Sequence, residues 1–137
     1  MKKLLAICSL FLIFSGCGED NEGKALIGIW ESDIVTITEC LDGSNNRQIN
    51  RRCDESSCYR LELNGDGSFS YQKGTLVETG TYSGDFRRLS LCIEDEGETV
   101  CENYTVGENT SVTLVLTKTD EFTECVTAEY FERVSTE

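Results

Sequence analysis

The feature that most constrains this chain is a two-residue alternation. Tyr59, Leu61 and Leu63 share one parity with Arg60 and Glu62 between them, and after Asn64-Gly65-Asp66-Gly67 the parity resumes at Phe69 and Tyr71. Leu89, Leu91 and Ile93 repeat the pattern with Cys92 on the other side, as do Val112, Leu114 and Leu116. Successive side chains of a strand leave opposite faces, so a period of two marks strands with one buried face. Segments rich in Thr, Val, Ile and Tyr, punctuated by Gly, Asn and Asp, give nine expected strands at 30–40, 48–53, 58–63, 68–73, 77–83, 87–94, 99–106, 110–117 and 124–134. No proline interrupts a ladder, and the connections suit antiparallel neighbours. The expected fold is all-β: an antiparallel up-and-down barrel of eight to nine strands, whose closure removes exposed edges.

The N-terminus reads differently. Met1-Lys2-Lys3 is basic, and residues 4–14 form an apolar run of eleven interrupted only by Cys8 and Ser9. A bilayer span needs about 20 residues, so this run has the length of a signal-peptide core instead. Phe14-Ser15-Gly16-Cys17 follows, and it resembles the lipobox of bacterial lipoproteins. That resemblance implies cleavage after Gly16 and acylation of Cys17, with Phe14 departing from the commoner Leu. The alternative is an ordinary secretory signal with Cys17 as a structural thiol. Two or more acyl chains anchor stably, so the implied location is the bacterial cell envelope, tethered to the membrane by lipid. Gly18 stands where Asp would signal inner-membrane retention, so in a host with two membranes the resemblance favours the outer one. The expected organisation is a signal peptide at 1–16, a lipidated cysteine and polar disordered tether at 17–25, and one barrel domain at 26–137.

The whole chain of 137 residues carries a formal charge of −13 and contains no histidine. Cleavage after Gly16 would remove two lysines and no acid, leaving 121 residues at −15. Such a chain lacks the clustered Lys and Arg that nucleic acid requires. Without His it has no His-based triad and no HExxH zinc site.

Of eight cysteines, Cys8 would leave with the signal and Cys17 would carry lipid. The remaining six in an exported domain point to disulfides. A zinc site is disfavoured by the missing CxxC knuckles and the oxidising compartment. A hairpin turning at Asp95-Glu96-Gly97-Glu98 sets Ile93 opposite Val100 and Cys92 opposite Cys101, within bridging reach. Cys53 and Cys58 flank Asp54-Glu55-Ser56-Ser57 in the same way, which leaves Cys40 with Cys125. That last pair carries a condition. In a nine-strand meander the first and last strands run parallel and hold these two cysteines far apart. It therefore needs an even strand count or a broken first strand.

Four segments in order resemble the small bacterial lipocalin-like domains. Leu26-Ile27-Gly28-Ile29-Trp30 is similar to their GxW opening, and Leu61-Glu62-Leu63-Asn64-Gly65-Asp66-Gly67-Ser68-Phe69 to their DG hairpin. Glu78-Thr79-Gly80-Thr81-Tyr82 is similar to their G-T-Y strand, and Leu114-Val115-Leu116 with Tyr130-Phe131-Glu132-Arg133-Val134 to their closing strands. The resemblance spans 26–134. It implies a barrel sealed at one end and cupped at the other, with Trp30 as the plug and Arg133 stacked across it. A guanidinium over an indole contributes about 0.5–2 kcal/mol.

The cup would be lined by Tyr59, Leu61, Phe69, Tyr71, Tyr82, Leu89, Leu91, Glu102, Tyr104 and Leu114. Glu102 stands out because the Cys92–Cys101 register sets it beside Leu91 on the apolar parity. A carboxylate there needs a partner, a ligand or a raised pKa; a wetted rim position is the plainer alternative. Asn64-x-Asp66-Gly67 reads as a hairpin turn, since Lys73 falls where a calcium loop needs its bidentate Glu. Ser70-Tyr71-Gln72-Lys73 lacks the companion motifs of SxxK enzymes. The expected function is binding, not catalysis, with no cofactor and no metal: the barrel holds a small hydrophobic or amphipathic molecule. The alternatives are an acidic barrel that blocks a basic protein such as a lysozyme, or a structural envelope module. Charge would speed association with such a basic partner.

Overall fold

A computed structural model describes residues 26–50, 53, 57 and 59–134. The expected signal peptide, Cys17 with its tether, and Cys58 lie outside the described residues. Nine strands occupy the segments that the alternation marks: β1 (Gly28–Thr38), β2 (Arg47–Asn50), β3 (Tyr59–Leu63), β4 (Ser68–Lys73), β5 (Leu76–Gly84), β6 (Arg88–Asp95), β7 (Glu98–Asn109), β8 (Thr113–Thr119) and β9 (Val126–Arg133). Every pairing is antiparallel, and β1 pairs with β9 to close the sheet. This is an up-and-down β-barrel.

The strand count resolves the condition on Cys40 and Cys125. β9 runs along one edge of β1 from Trp30↔Arg133 to Thr38↔Val126. The other edge of β1 is shared: β3 takes its first half, Gly28↔Leu63 to Ser32↔Tyr59, and β2 its second half, Ile34↔Asn50 to Ile37↔Arg47. β2 is thus an extra short strand, and eight strands close the ring. An even ring makes β1 and β9 antiparallel neighbours, and the Cys40–Cys125 disulfide clasps their ends across 85 residues of sequence. Cys92 pairs with Cys101 in register and is bridged to it. Cys53 is disulfide-bonded; its expected partner Cys58 is not among the described residues.

Turn chemistry sets the registers. Glu96 and Gly97 both take positive φ, 49° and 88°, as a two-residue turn matching the strand twist requires. The hairpin is therefore one pair tighter than the four-residue turn expected, with Asp95 paired to Glu98, but the Cys92 register is unchanged. At the β3–β4 turn a carboxylate oxygen of Asp66 accepts from the Ser68 N–H at 2.9 Å and from its hydroxyl at 2.7 Å. Bulges at Asp33 in β1 and Gly107 in β7 shift the registers of β1 with β9 and of β7 with β8, adding the local twist a closed sheet needs.

The inward parity is the core. Trp30, Leu61, Leu63, Phe69, Tyr71, Leu89, Leu91, Leu114, Leu116 and Phe131 are all buried in one cluster, each worth about 1.5–3 kcal/mol of transfer free energy. Val112 does not join them: it is 62 % exposed because the Thr110–Thr113 backbone bond turns the chain before β8 begins.

One end is sealed. Trp30 is fully buried and its indole N–H donates to the Leu26 carbonyl at 2.9 Å. The Arg133 guanidinium lies 4.1 Å from the Trp30 ring centroid and donates to the carbonyls of Ile27 (2.8 Å) and Ser111 (2.7 Å). Gly28 sits beneath it at φ +150°, where a Cβ would come within 2.3 Å of Arg133 Nη1. Glycine at this position lets the guanidinium reach across the plug.

Candidate functional site

The opposite end of the barrel is polar. The parity that buries Phe69 and Tyr71 on β4 continues to Lys73; on β8 Leu114 and Leu116 continue to Lys118; on β7 Val106 and Tyr104 continue to Glu102. On β9, Phe131 continues to Glu129, and on β5 Gly80 to Glu78. These side chains converge on the mouth of the lumen. Lys73 Nζ lies 3.3 Å from Glu78 and 3.7 Å from Glu102, Lys118 is ion-paired with Glu102, and the Tyr104 hydroxyl donates to Glu102 at 2.7 Å. The lysines also cap aromatic faces, Lys73 at 4.5 Å from the Tyr71 centroid and Lys118 at 5.5 Å from that of Tyr104. Tyr59 packs edge-on to Tyr71, with centroids 6.0 Å apart.

Two carboxylates in this mouth are driven opposite ways. Burial opposes ionisation of Glu102 more than any other single influence. Hydrogen bonds from Lys118 and Tyr104, with the charges of Lys118 and Lys73, outweigh it together and hold its pKa below the usual value. Glu129 is deeper, 6 % exposed, and burial raises its pKa despite a hydrogen bond from the Tyr71 hydroxyl and the nearby lysine charges. Burial and then the Glu129 charge push the Tyr71 phenol well up.

The barrel wall is incomplete beside this cluster. β5 pairs with β6 only from Thr81↔Cys92 to Gly84↔Leu89. Beyond Thr81, β5 bonds only to β4, and β6 beyond Cys92 only to β7. Gly80 marks the divergence: a Cβ there would lie 2.0 Å from the Cys92 carbonyl oxygen and 3.0 Å from the Phe69 ring. The resulting slot is a concavity of about 330 Å³, open to solvent, lined by Phe69, Leu91, Ile93, Val100 and Cys101 with Glu78 and Glu102.

A second concavity of about 370 Å³ lies on the outer wall. Ile34, Tyr130 and Val115 stand in one cross-strand row over β1, β9 and β8, with Asp33, Glu108 and Glu132 around them.

The residues expected to line a cup divide. Leu61, Phe69, Tyr71, Leu89, Leu91, Tyr104 and Leu114 are buried on the inner face, and Tyr59 and Tyr82 pack half-buried against them. They fill the lumen with side chains, and only Phe69, Leu91 and Glu102 border the slot. Tyr82 belongs to the sealed end, where its hydroxyl donates to the Asn64 carbonyl at 2.8 Å. Glu102 faces inward as its register requires, paired with two lysines. Glu129, Lys73 and Lys118 were missed. The signal was present, because each shares parity with an apolar residue two places away, but a charged side chain ends an apolar pattern when the pattern is read by hydrophobicity alone.

Compared with protein-family models, with curated proteins and with solved structures, the chain matches none of them.

Proposed function

We propose that this chain is an envelope lipoprotein, anchored through Cys17, whose lipocalin-like barrel binds a small amphipathic molecule and catalyses no reaction. The observation that carries the reading is the slot between β5 and β6. It combines an apolar wall with carboxylates at one side, on a barrel whose lumen is filled by buried side chains. Its volume of about 330 Å³ lies at the lower end of the range for small-molecule sites. The order of the four lipocalin-like segments and the lipobox at Cys17 support the family and the anchor. The described domain begins at the sealed end, with Leu26 against Trp30. A tether of residues 17–25 would reach roughly 30 Å when extended, which would set that end toward the membrane and the slot away from it.

The outer-wall concavity favours a second reading. Tyr130, 42 % exposed, ringed by carboxylates on a chain of charge −13, suits a basic segment of a protein partner. Native mass spectrometry of the protein extracted from its own membranes distinguishes the two. The ligand reading expects Cys17 to carry acyl mass and a small organic mass to co-purify, and to be lost in Ile93→Arg. A stoichiometric basic protein in place of the small mass supports the second reading and contradicts the first.

A further inference from the structure

We infer that the slot between β5 and β6 selects an amphipathic cation: an apolar body carrying an ammonium group. The inference rests on the binding reading above and adds the charge of the ligand. The slot's apolar wall is Phe69, Leu91, Ile93 and Val100, and Glu78 and Glu102 are its charged residues; among the described residues no lysine or arginine lines it.

Glu102 is already engaged by Lys118, Lys73 and Tyr104. Glu78 is engaged at one oxygen only, by Lys73 at 3.3 Å, and its other oxygen makes no hydrogen bond among the described residues. Glu129, 6 % exposed, receives the Tyr71 hydroxyl and is not among the slot's lining residues. Both lysines are ion-paired with Glu78 or Glu102, lie over tyrosine faces, and are not among the slot's described lining residues. Carboxylates that border the slot, with the lysines set outside its described lining, suit a ligand head that donates hydrogen bonds and carries positive charge. An anionic head would meet Glu78 and Glu102 at the wall, and like charges at such range repel. The chain's charge of −13 adds long-range attraction for the same sign.

The test uses three probes of one chain length, octylammonium, 1-octanol and octanoate, titrated calorimetrically at pH 7 below their aggregation limits. It compares the wild-type protein with Glu78→Gln and with Glu62→Gln, which removes the same charge from the outer face of β3. The expected result is binding of the cation about tenfold tighter than of the alcohol and tighter still than of octanoate, a preference lost in Glu78→Gln and kept in Glu62→Gln. Equal or tighter binding of the alcohol or octanoate overturns the cation assignment while the binding reading stands. An equal loss in both variants also overturns it, by showing diffuse charge attraction. If none of the three probes binds, the slot reading and the cation assignment fall together.

Discussion

Glu129 is the residue at which sequence pattern and environment conflict most. It is a carboxylate inside an apolar cylinder, held by one phenol, with its pKa raised above 4.5 chiefly by burial. The folded state therefore binds this proton more tightly than the unfolded chain does. Ionisation costs stability as pH rises above 4.5, and the cost becomes constant once the pH passes the folded value. Glutamine has the same shape and carries no such cost. Glu129→Gln should be more stable than wild type at about pH 8, with the difference vanishing below about pH 4. Denaturant titration at the two pH values checks this; a variant less stable at pH 8 than at pH 4, relative to wild type, would show that ionised Glu129 is the form the fold prefers. At this scale the sequence was partly legible. Leu61, Leu89 and Leu114 face inward as their alternation requires. Glu102 faces inward too, for a reason of register that the two cysteines made visible. Glu129 had the same parity clue from Phe131, but no disulfide beside it to fix the register.

Between elements, the two described disulfides hold different kinds of neighbours. Cys92–Cys101 staples a hairpin whose two-residue turn already sets its register, over a separation of 9. Cys40–Cys125 joins the first strand to the last over 85. By loop-closure entropy these are worth about 2.7 and about 4.6 kcal/mol. Cys40→Ser with Cys125→Ser should therefore lower the unfolding free energy by about 2 kcal/mol more than the pair Cys92→Ser with Cys101→Ser. Chemical denaturation of the two variants measures it, and an equal or reversed order would place the clasp elsewhere. The short pair was legible because one hairpin sets it. The long pair depended on the ring being even. That in turn depends on β2 and β3 sharing one edge of β1, a tertiary fact that strand counting along the chain does not contain. The slot was hidden for the same reason: nothing local in Gly80 says that the Cys92 backbone will press against it and that β5 and β6 will part beyond.

For the molecule as a whole, the proposed function follows from a ring sealed along β1–β9, plugged at the Trp30 end, and parted where β5 leaves β6. Sealing makes the lumen a core and not a pore, so the Lys73, Glu102 and Lys118 cluster lies at the mouth and the inner apolar residues Phe69, Leu91, Ile93 and Val100 reach a ligand at the slot. Amide hydrogen exchange, resolved by residue, tests this most directly, because exchange rates report which strand edges are bonded. Amides facing across β1 and β9, from Trp30 to Thr38 and from Val126 to Arg133, should exchange slowly together with those joining Thr81–Gly84 to Leu89–Cys92. The β5 and β6 amides that face one another beyond Gly80 and Cys92 should exchange fast. Slow exchange across that gap would mean the slot is closed, and fast exchange across β1–β9 would mean the ring never closes; either result contradicts the account.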